Sequence, residues 1–353
     1  MAIIITDDDA RRLLSMAECI EAMRTAFRDY ALGKAVSLPR VRYRTETPDP
    51  QRTYFANVHV GAVQSLGMAC VRAGSLCILD DGSQPERKVL ANPEPVNWSI
   101  VILYDLATAE PLALMHESYV SGYRVGATTG AAVQAIARPG ASVLGLFGTG
   151  RQARASLEAI CTVRPITRVQ VFSPTARHRE AFAAELARQG LEVVPVGEPK
   201  AVIEGAHIVC CATNTKQPVF DGDWLEDGQM VISIVNSDVT AKRTEIDETT
   251  FARSSQIVVN DWPSVEANGQ VELLEPIRSG LVDREQVFEL GEVLAERADV
   301  RQSAGNIVYY KNNTGLGMQF AAAGAIIYKK LIEEGTAKII PREWLAGENY
   351  SQS

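Results

Sequence analysis

The 353-residue sequence lacks the marks of several functional classes. It has no basic block: 35 lysines and arginines face 43 aspartates and glutamates, and the net charge of -8 is spread along the chain. That balance excludes an electrostatic grip on nucleic acid or an anionic membrane and leaves a small-molecule ligand as the better fit. Histidine is scarce, at 4 residues. No two share a helix face, and His116 beside Glu117 has no metal-ligand spacing, so no metal site is expected. The cysteines Cys19, Cys70, Cys77, Cys161, Cys210 and Cys211 show no CxxC or finger spacing and are expected as reduced core residues. No serine stands in a nucleophile elbow. No apolar run approaches the ~20 residues of a membrane span. The opening MAIIITDDDARRLL meets acidic residues at once, unlike a signal peptide, so a cytoplasmic location is expected.

What is present reads as a globular protein: 46% hydrophobic and 22% charged residues, in a chain long enough for two domains with separate cores. Apolar residues at helical spacing (Leu13, Leu14, Met16, Ile20, Met23, Phe27) predict one opening helix over residues 7 to 32. Residues 35 to 115 read as short strands and turns, with DLATAEPLA as a hairpin turn, which predicts a mostly antiparallel sheet. His59, alternating with apolar neighbours in ANVHVGA, is expected as a structural histidine.

The pattern changes after Ser118. SYVSGYRVGATTGAAVQAIA is a helix rich in small residues, and SVLGLFGTG is a buried strand running into glycines. Helices over 151 to 162, 176 to 188 and 198 to 204 then alternate with the strands RVQVF, LEVVPV and HIVCCAT, followed by MVISIV and QIVVN. Such alternation predicts an α/β fold, a doubly wound parallel sheet of Rossmann type.

Within it, VLGLFGTGRQA supplies strand, tight turn and helix start in the order that a pyrophosphate cradle requires. Gly148 and Gly150 let the backbone approach the phosphates. Arg151, Gln152 and Ala153 open the helix, with Ala153 in the place of the third glycine. The next strand ends in Ser173-Pro174-Thr175-Ala176-Arg177, with no acidic residue for a ribose 2′-hydroxyl. Hydroxyls and an arginine suit a 2′-phosphate, so NADP(H) is the expected cofactor, with NAD the alternative. Ala212 and Thr213 end the strand HIVCCAT at the edge that faces a dinucleotide in such sheets.

Four segments together, SGYRVGATTGAA, GTGRQA, SIVNSDVTAKRTEID and NNTGLGMQFAA, resemble the ornithine cyclodeaminase/mu-crystallin family and span most of the chain in order. The resemblance implies a homodimer whose N- and C-terminal segments (1–122 and 312–353) form a substrate-binding and dimerisation domain around an inserted Rossmann domain (123–311). It implies that Asp238 is the catalytic proton-transfer group, that Lys242 and Asn313 lie beside the cofactor, and that Arg124 reaches the substrate carboxylate. A guanidinium fork suits that task. The plainer alternatives are a cap or Asx turn at Asp238, with Lys242 and Glu245 as a surface pair. Arg40 and Arg72 are expected as further carboxylate contacts.

Ornithine-type members carry a lysine in a Gly-x-Lys strand. Here Gly67-Met68-Ala69 places alanine at that register, with Arg72 three residues on; Glu86-Arg87-Lys88 offers Lys88 as a substitute from a loop, with a solvated charge run as the plainer alternative. The implied activity is hydride transfer at the α-carbon of an amino or imino acid, as in imine or ketimine reductases and amino-acid dehydrogenases. The alternatives are a cyclodeaminase with tightly held NAD that releases ammonia, and a nicotinamide-dependent ligand-binding protein without turnover.

Overall fold

Capping chemistry sets the first elements. Strand β1 (Ala2–Ile5) ends at Thr6, whose hydroxyl accepts from Asp9 N while the Asp9 carboxylate accepts from Thr6 N, and this capping box starts α1 (Asp7–Leu13). Leu14 is extended, and a second reciprocal pair between Ser15 and Glu18 starts α2 (Met16–Ala31). The single helix expected over 7 to 32 is therefore two, because Ser15 restarts capping inside an unbroken apolar period. The computed structural model describes residues 2–79, 89–90, 98–188, 190–237, 242–312 and 315–347. It divides into two units: Met1–Glu18, Gly33–Ser121 and Gly315–Ser353 form one, and Cys19–Leu32 and Gly122–Thr314 the other.

After α2 come β2 (Ala35–Ser37), β3 (Val41–Glu46), β4 (Arg52–Val63), β5 (Met68–Leu79), β6 (Val89–Leu90), β7 (Ile100–Asp105) and β8 (Pro111–His116). Gly67, at φ +62, closes the β4–β5 connection. The β7–β8 hairpin is made by Asp105, whose carboxylate accepts from Ala107 N and Thr108 N. Helix α3 (Ser118–Ile136) follows.

The alternating region runs β9 (Val143–Phe147), α4 (Arg151–Val163), β10 (Arg168–Phe172), α5 (Ala176–Ala187), β11 (Glu192–Pro195), α6 (Lys200–Ile203), β12 (Ile208–Cys211) and β13 (Met230–Ser233). Next come α7 (Glu248–Arg253), β14 (Gln256–Val259), α8 (Trp262–Ala267), α9 (Val271–Arg278), β15 (Val287–Glu289), α10 (Leu290–Leu294) and β16 (Val308–Lys311). The chain closes with α11 (Gly317–Glu334) and β17 (Lys338–Ile340).

In the first unit, the sheet among the described residues has the order β17-β1-β8-β7-β5-β4-β2, with β3 on β4 and β6 on β5. All its pairings are antiparallel except β1 with β8. Helix α11 begins hard against β4: a methyl on Gly317 would lie 2.1 Å from the Val60 carbonyl carbon.

The second unit has an all-parallel sheet of order β11-β10-β9-β12-β13-β16-β14-β15. Strands β15 and β16 were not expected from the sequence. The last of them in chain order, β16, inserts between β13 and β14, although MVISIV and QIVVN read as successive strands. Of the cysteines, Cys77 and Cys161 are half-buried rather than core residues. Cys161 lies on the flank of α4 in a shallow cleft, where nothing covers it fully.

Helix α3 meets α4 through glycines spaced four apart. Positions Gly122, Gly126 and Gly130 lie against Arg151, Ala155 and Ala159, which share the same spacing. Residues four apart stack on one helix face, and absent side chains let two backbones approach. A methyl on Gly126 would sit 2.5 Å from the Ala155 carbonyl oxygen. The same helix takes α2 on its other contact, with Gly130 against Ile20, which is why Cys19–Leu32 groups with the second unit. Gly126→Val should therefore destabilise the protein by about 1–3 kcal/mol through overpacking. Calorimetry would read this as a fall in Tm, and an unchanged Tm would show that the helices can separate freely.

Candidate active site

Strand β9 carries the buried run VLGLF and stops at Gly148, which adopts φ +104. Its amide donates to the Phe172 carbonyl at 2.9 Å. A methyl there would lie 2.3 Å from the Ala212 carbonyl oxygen, so the ends of β9 and β12 touch backbone to backbone. Strand β9 is flanked by β10 on one side and β12 on the other, so connections diverge at its carboxyl end and open a crevice there.

Gly150 then caps α4 with no side chain to accept from the first turn, and a methyl on it would meet nothing within 4 Å. The positive end of a 13-residue helix thus lies beside open space. The cleft built by Gly148, Gly150, Arg151, Gln152, Ser173, Ala212 and Thr213 holds about 670 Å³. Gln152 Oε1 is buried there without a hydrogen-bond partner among the described residues. Ala153 is fully buried behind the turn. A glycine cradle, an uncapped helix start and an orphaned acceptor together fit a dinucleotide.

Beyond β10, Ser173 is buried, while Thr175 and Arg177 are exposed. Thr175 precedes α5 and makes no side-chain cap bond to it. Arg179 donates to the Ser173 carbonyl at 2.9 Å and lies over the Phe172 ring, so it braces this edge. Burial pushes the Cys210 thiol up to about 12 and raises Cys211 as well, so neither is a thiolate.

The other expected residues fall in several places. Arg124 is buried in α3 of the second unit. Lys242 is exposed and pairs with Glu275 at 2.6 Å, in a cleft with Arg243, Thr244 and Pro276 rather than among the residues around Gly148. The alternative pairing of Lys242 with Glu245 does not form, because Glu245 is fully buried. In the first unit, Arg40 is half-buried between β2 and β3. Arg72 is buried in β5, bonded to Glu117 at 3.1 Å and 3.3 Å from His59 Nδ1. Glu117, which drew no role from the sequence, thus already neutralises Arg72. Asp238, Lys88 and Asn313 lie outside the described residues.

Residues 2–335 match the model of the ornithine cyclodeaminase/mu-crystallin family. The chain belongs to this family. It is 26% identical to the alanine dehydrogenase of Archaeoglobus fulgidus over 339 residues, 96% of this chain and 98% of that one. Its fold is similar to that of the Thermococcus litoralis Δ1-pyrroline-2-carboxylate reductase, solved with NADH and L-proline, at TM-score 0.81 and 26% identity, covering 96% of this chain and 100% of that one. It is likewise similar to an archaeal alanine dehydrogenase dimer with bound NAD, at TM-score 0.80 and 25% identity, covering 96% and 99%.

As in any Rossmann unit, this family member depends at the turn on a residue without a side chain. Gly148→Ala would need both a left-handed backbone and relief of the clash with Ala212. It should lower dinucleotide affinity by about tenfold or more, equivalent to about 1.4 kcal/mol. Fluorescence titration with NADH and NADPH checks this, and parental affinity would remove Gly148 from the cradle.

Proposed function

We propose that the protein is an NAD(P)-dependent oxidoreductase acting on the CH–NH2 or C=N bond of a small α-amino or α-imino acid. The observation that carries this reading is the uncapped α4 helix start and glycine turn at the β9/β12 crevice, in a chain of this family. Nicotinamide, when bound, supplies or accepts hydride at the substrate α-carbon. The protein's own part is to hold the substrate and manage its proton. Arg124 holds the carboxylate, with Arg40 and Arg72 as further cationic groups and Lys88 as a loop contribution. Arg72 acts as one half of a pair with Glu117. Asp238 protonates the imine nitrogen in reduction and receives that proton in oxidation.

The proposed cofactor is NADP(H). No acidic residue follows β10 through residue 179, Ser173 lines the cleft, and the Thr175 hydroxyl makes no cap bond. Those two hydroxyls and Arg177 would meet a 2′-phosphate. Lys242 and Asn313 complete the proposed cofactor set. Alanine at position 69 supports a reductase or dehydrogenase over an ornithine-type cyclodeaminase, because arginine at 72 carries charge but cannot shuttle a proton.

We also propose a homodimer. Val36, Leu38, Val41 and Tyr43 leave an apolar edge at β2 and β3 more than half exposed. Light scattering should return twice the 38.4 kDa chain mass. A monomer mass would overturn this.

The activity is checked by following absorbance at 340 nm with NADPH or NADH. The substrates would be cyclic imino acids, and α-keto acids with ammonia or methylamine. Turnover with an imine and a preference for NADPH are expected. Asp238→Asn should keep dinucleotide affinity and lose about 100-fold or more in kcat. Ammonia release from L-ornithine with NAD would favour the cyclodeaminase, and binding with no turnover the ligand-binding protein.

A further inference from the structure

A charged cluster lies buried behind the crevice, in the second unit. Glu245 is fully buried, and its carboxylate accepts five hydrogen bonds. One oxygen takes Thr213 N at 2.6 Å and Thr213 Oγ1 at 2.7 Å. The other takes Ser233 Oγ at 2.8 Å and the amides of Ile234 and Val235 at 2.9 Å each. Thr213 is the second residue beyond β12, and Ile234 and Val235 are the first two beyond β13. One carboxylate thus ties together the exits of two adjacent strands.

The carboxylate is itself held in place. Lys311, the last residue of β16, donates to Ser233 Oγ at 2.8 Å and pairs with Glu272, both of them buried. Glu272 accepts from the Glu245 amide at 2.9 Å and from Thr244 Oγ1 at 3.1 Å. The bonds close a ring from Glu245 through Ser233, Lys311 and Glu272 back to the Glu245 backbone. Burial pushes the Glu245 carboxyl up from its ordinary value, while Lys311 and the Thr213 donors draw it back. Three of its five donors are backbone amides, which cannot accept, so both oxygens must serve as acceptors.

A buried ion cluster is a poor device for stability alone, since apolar residues of similar volume often do as well. Its contacts go to the wall of the cofactor crevice, which Thr213 lines, and to the strand exit that leads within a few residues to Asp238. We propose that Glu245 is a positioning residue that clamps the exits of β12 and β13, and so fixes the crevice wall for dinucleotide binding and the approach to the segment bearing Asp238. Ser233 and Lys311 act through it. The proposal rests on the reading of this crevice as a dinucleotide site.

Two variants of the full-length protein test it. Glu245→Gln keeps the size but turns an amide group toward N–H donors. Ser233→Ala removes one hydroxyl, and with it the bridge from Lys311 to the Glu245 carboxylate. For each, Tm, the Kd of NADH and NADPH, and KM and kcat are measured well below Tm. The clamp predicts Kd and KM for the dinucleotide raised by about tenfold in Glu245→Gln, with a lower kcat, and by several-fold in Ser233→Ala. If Glu245→Gln does not fold, Ser233→Ala decides alone. Variants that lose Tm but bind and turn over as the parent does would make the cluster merely structural and overturn the proposal. A parent that binds neither dinucleotide would instead overturn the reading of the crevice, and the clamp with it.

Discussion

The parallel unit is organised around a contact between two backbones. Gly148 stands where any side chain would strike the Ala212 carbonyl, and this closeness lets the ends of β9 and β12 form one wall. The constraint propagates outward. The left-handed turn at Gly148 aims the chain through Gly150 into α4, and the glycine stripe of α3 then lets that helix lie close against α4. Removing side chains at these positions costs chain entropy. What is gained is backbone polarity directed at one place, where the positive end of α4 and open space coincide.

Each unit also buries charge, and each does so with partners. In the antiparallel unit, Arg72 is held by Glu117 and lies near His59. In the parallel unit, Lys311 sits between Glu272 and Ser233, with Glu245 beyond. Taking ions out of water costs several kcal/mol each unless hydrogen bonds and an opposite charge offset it. Both clusters meet that condition, and both join segments distant in sequence: positions 72 and 117, and positions 233, 272 and 311. They hold elements in register where apolar packing would permit sliding.

Much of the fold was legible because its signals are local. Strand and helix periods around β9, α4, β10, α5 and β12, the hairpin at Asp105, and the helical run of α3 are all patterns of a few residues. The break between α1 and α2 was hidden because the apolar period continues through Leu14 and Met16, and only the reciprocal Ser15–Glu18 bonds mark it. Strand β16 is not legible because VYYK is short, at 4 residues, and ends in a lysine. No local pattern says that it joins the sheet between β13 and β14.

The sequence by itself determined the α/β character, the glycine turn leading into a helix, and the segments shared with the ornithine cyclodeaminase/mu-crystallin family. These depend on backbone conformation and side-chain period, which neighbouring residues set. Only the tertiary structure decided that Arg72 is already paired with Glu117, that Lys242 bonds Glu275, and that Glu245 is a buried anchor rather than a surface charge. The physical reason is that a charged side chain's partner is chosen by burial and by approach across the fold, and neither leaves a trace in the order of the chain.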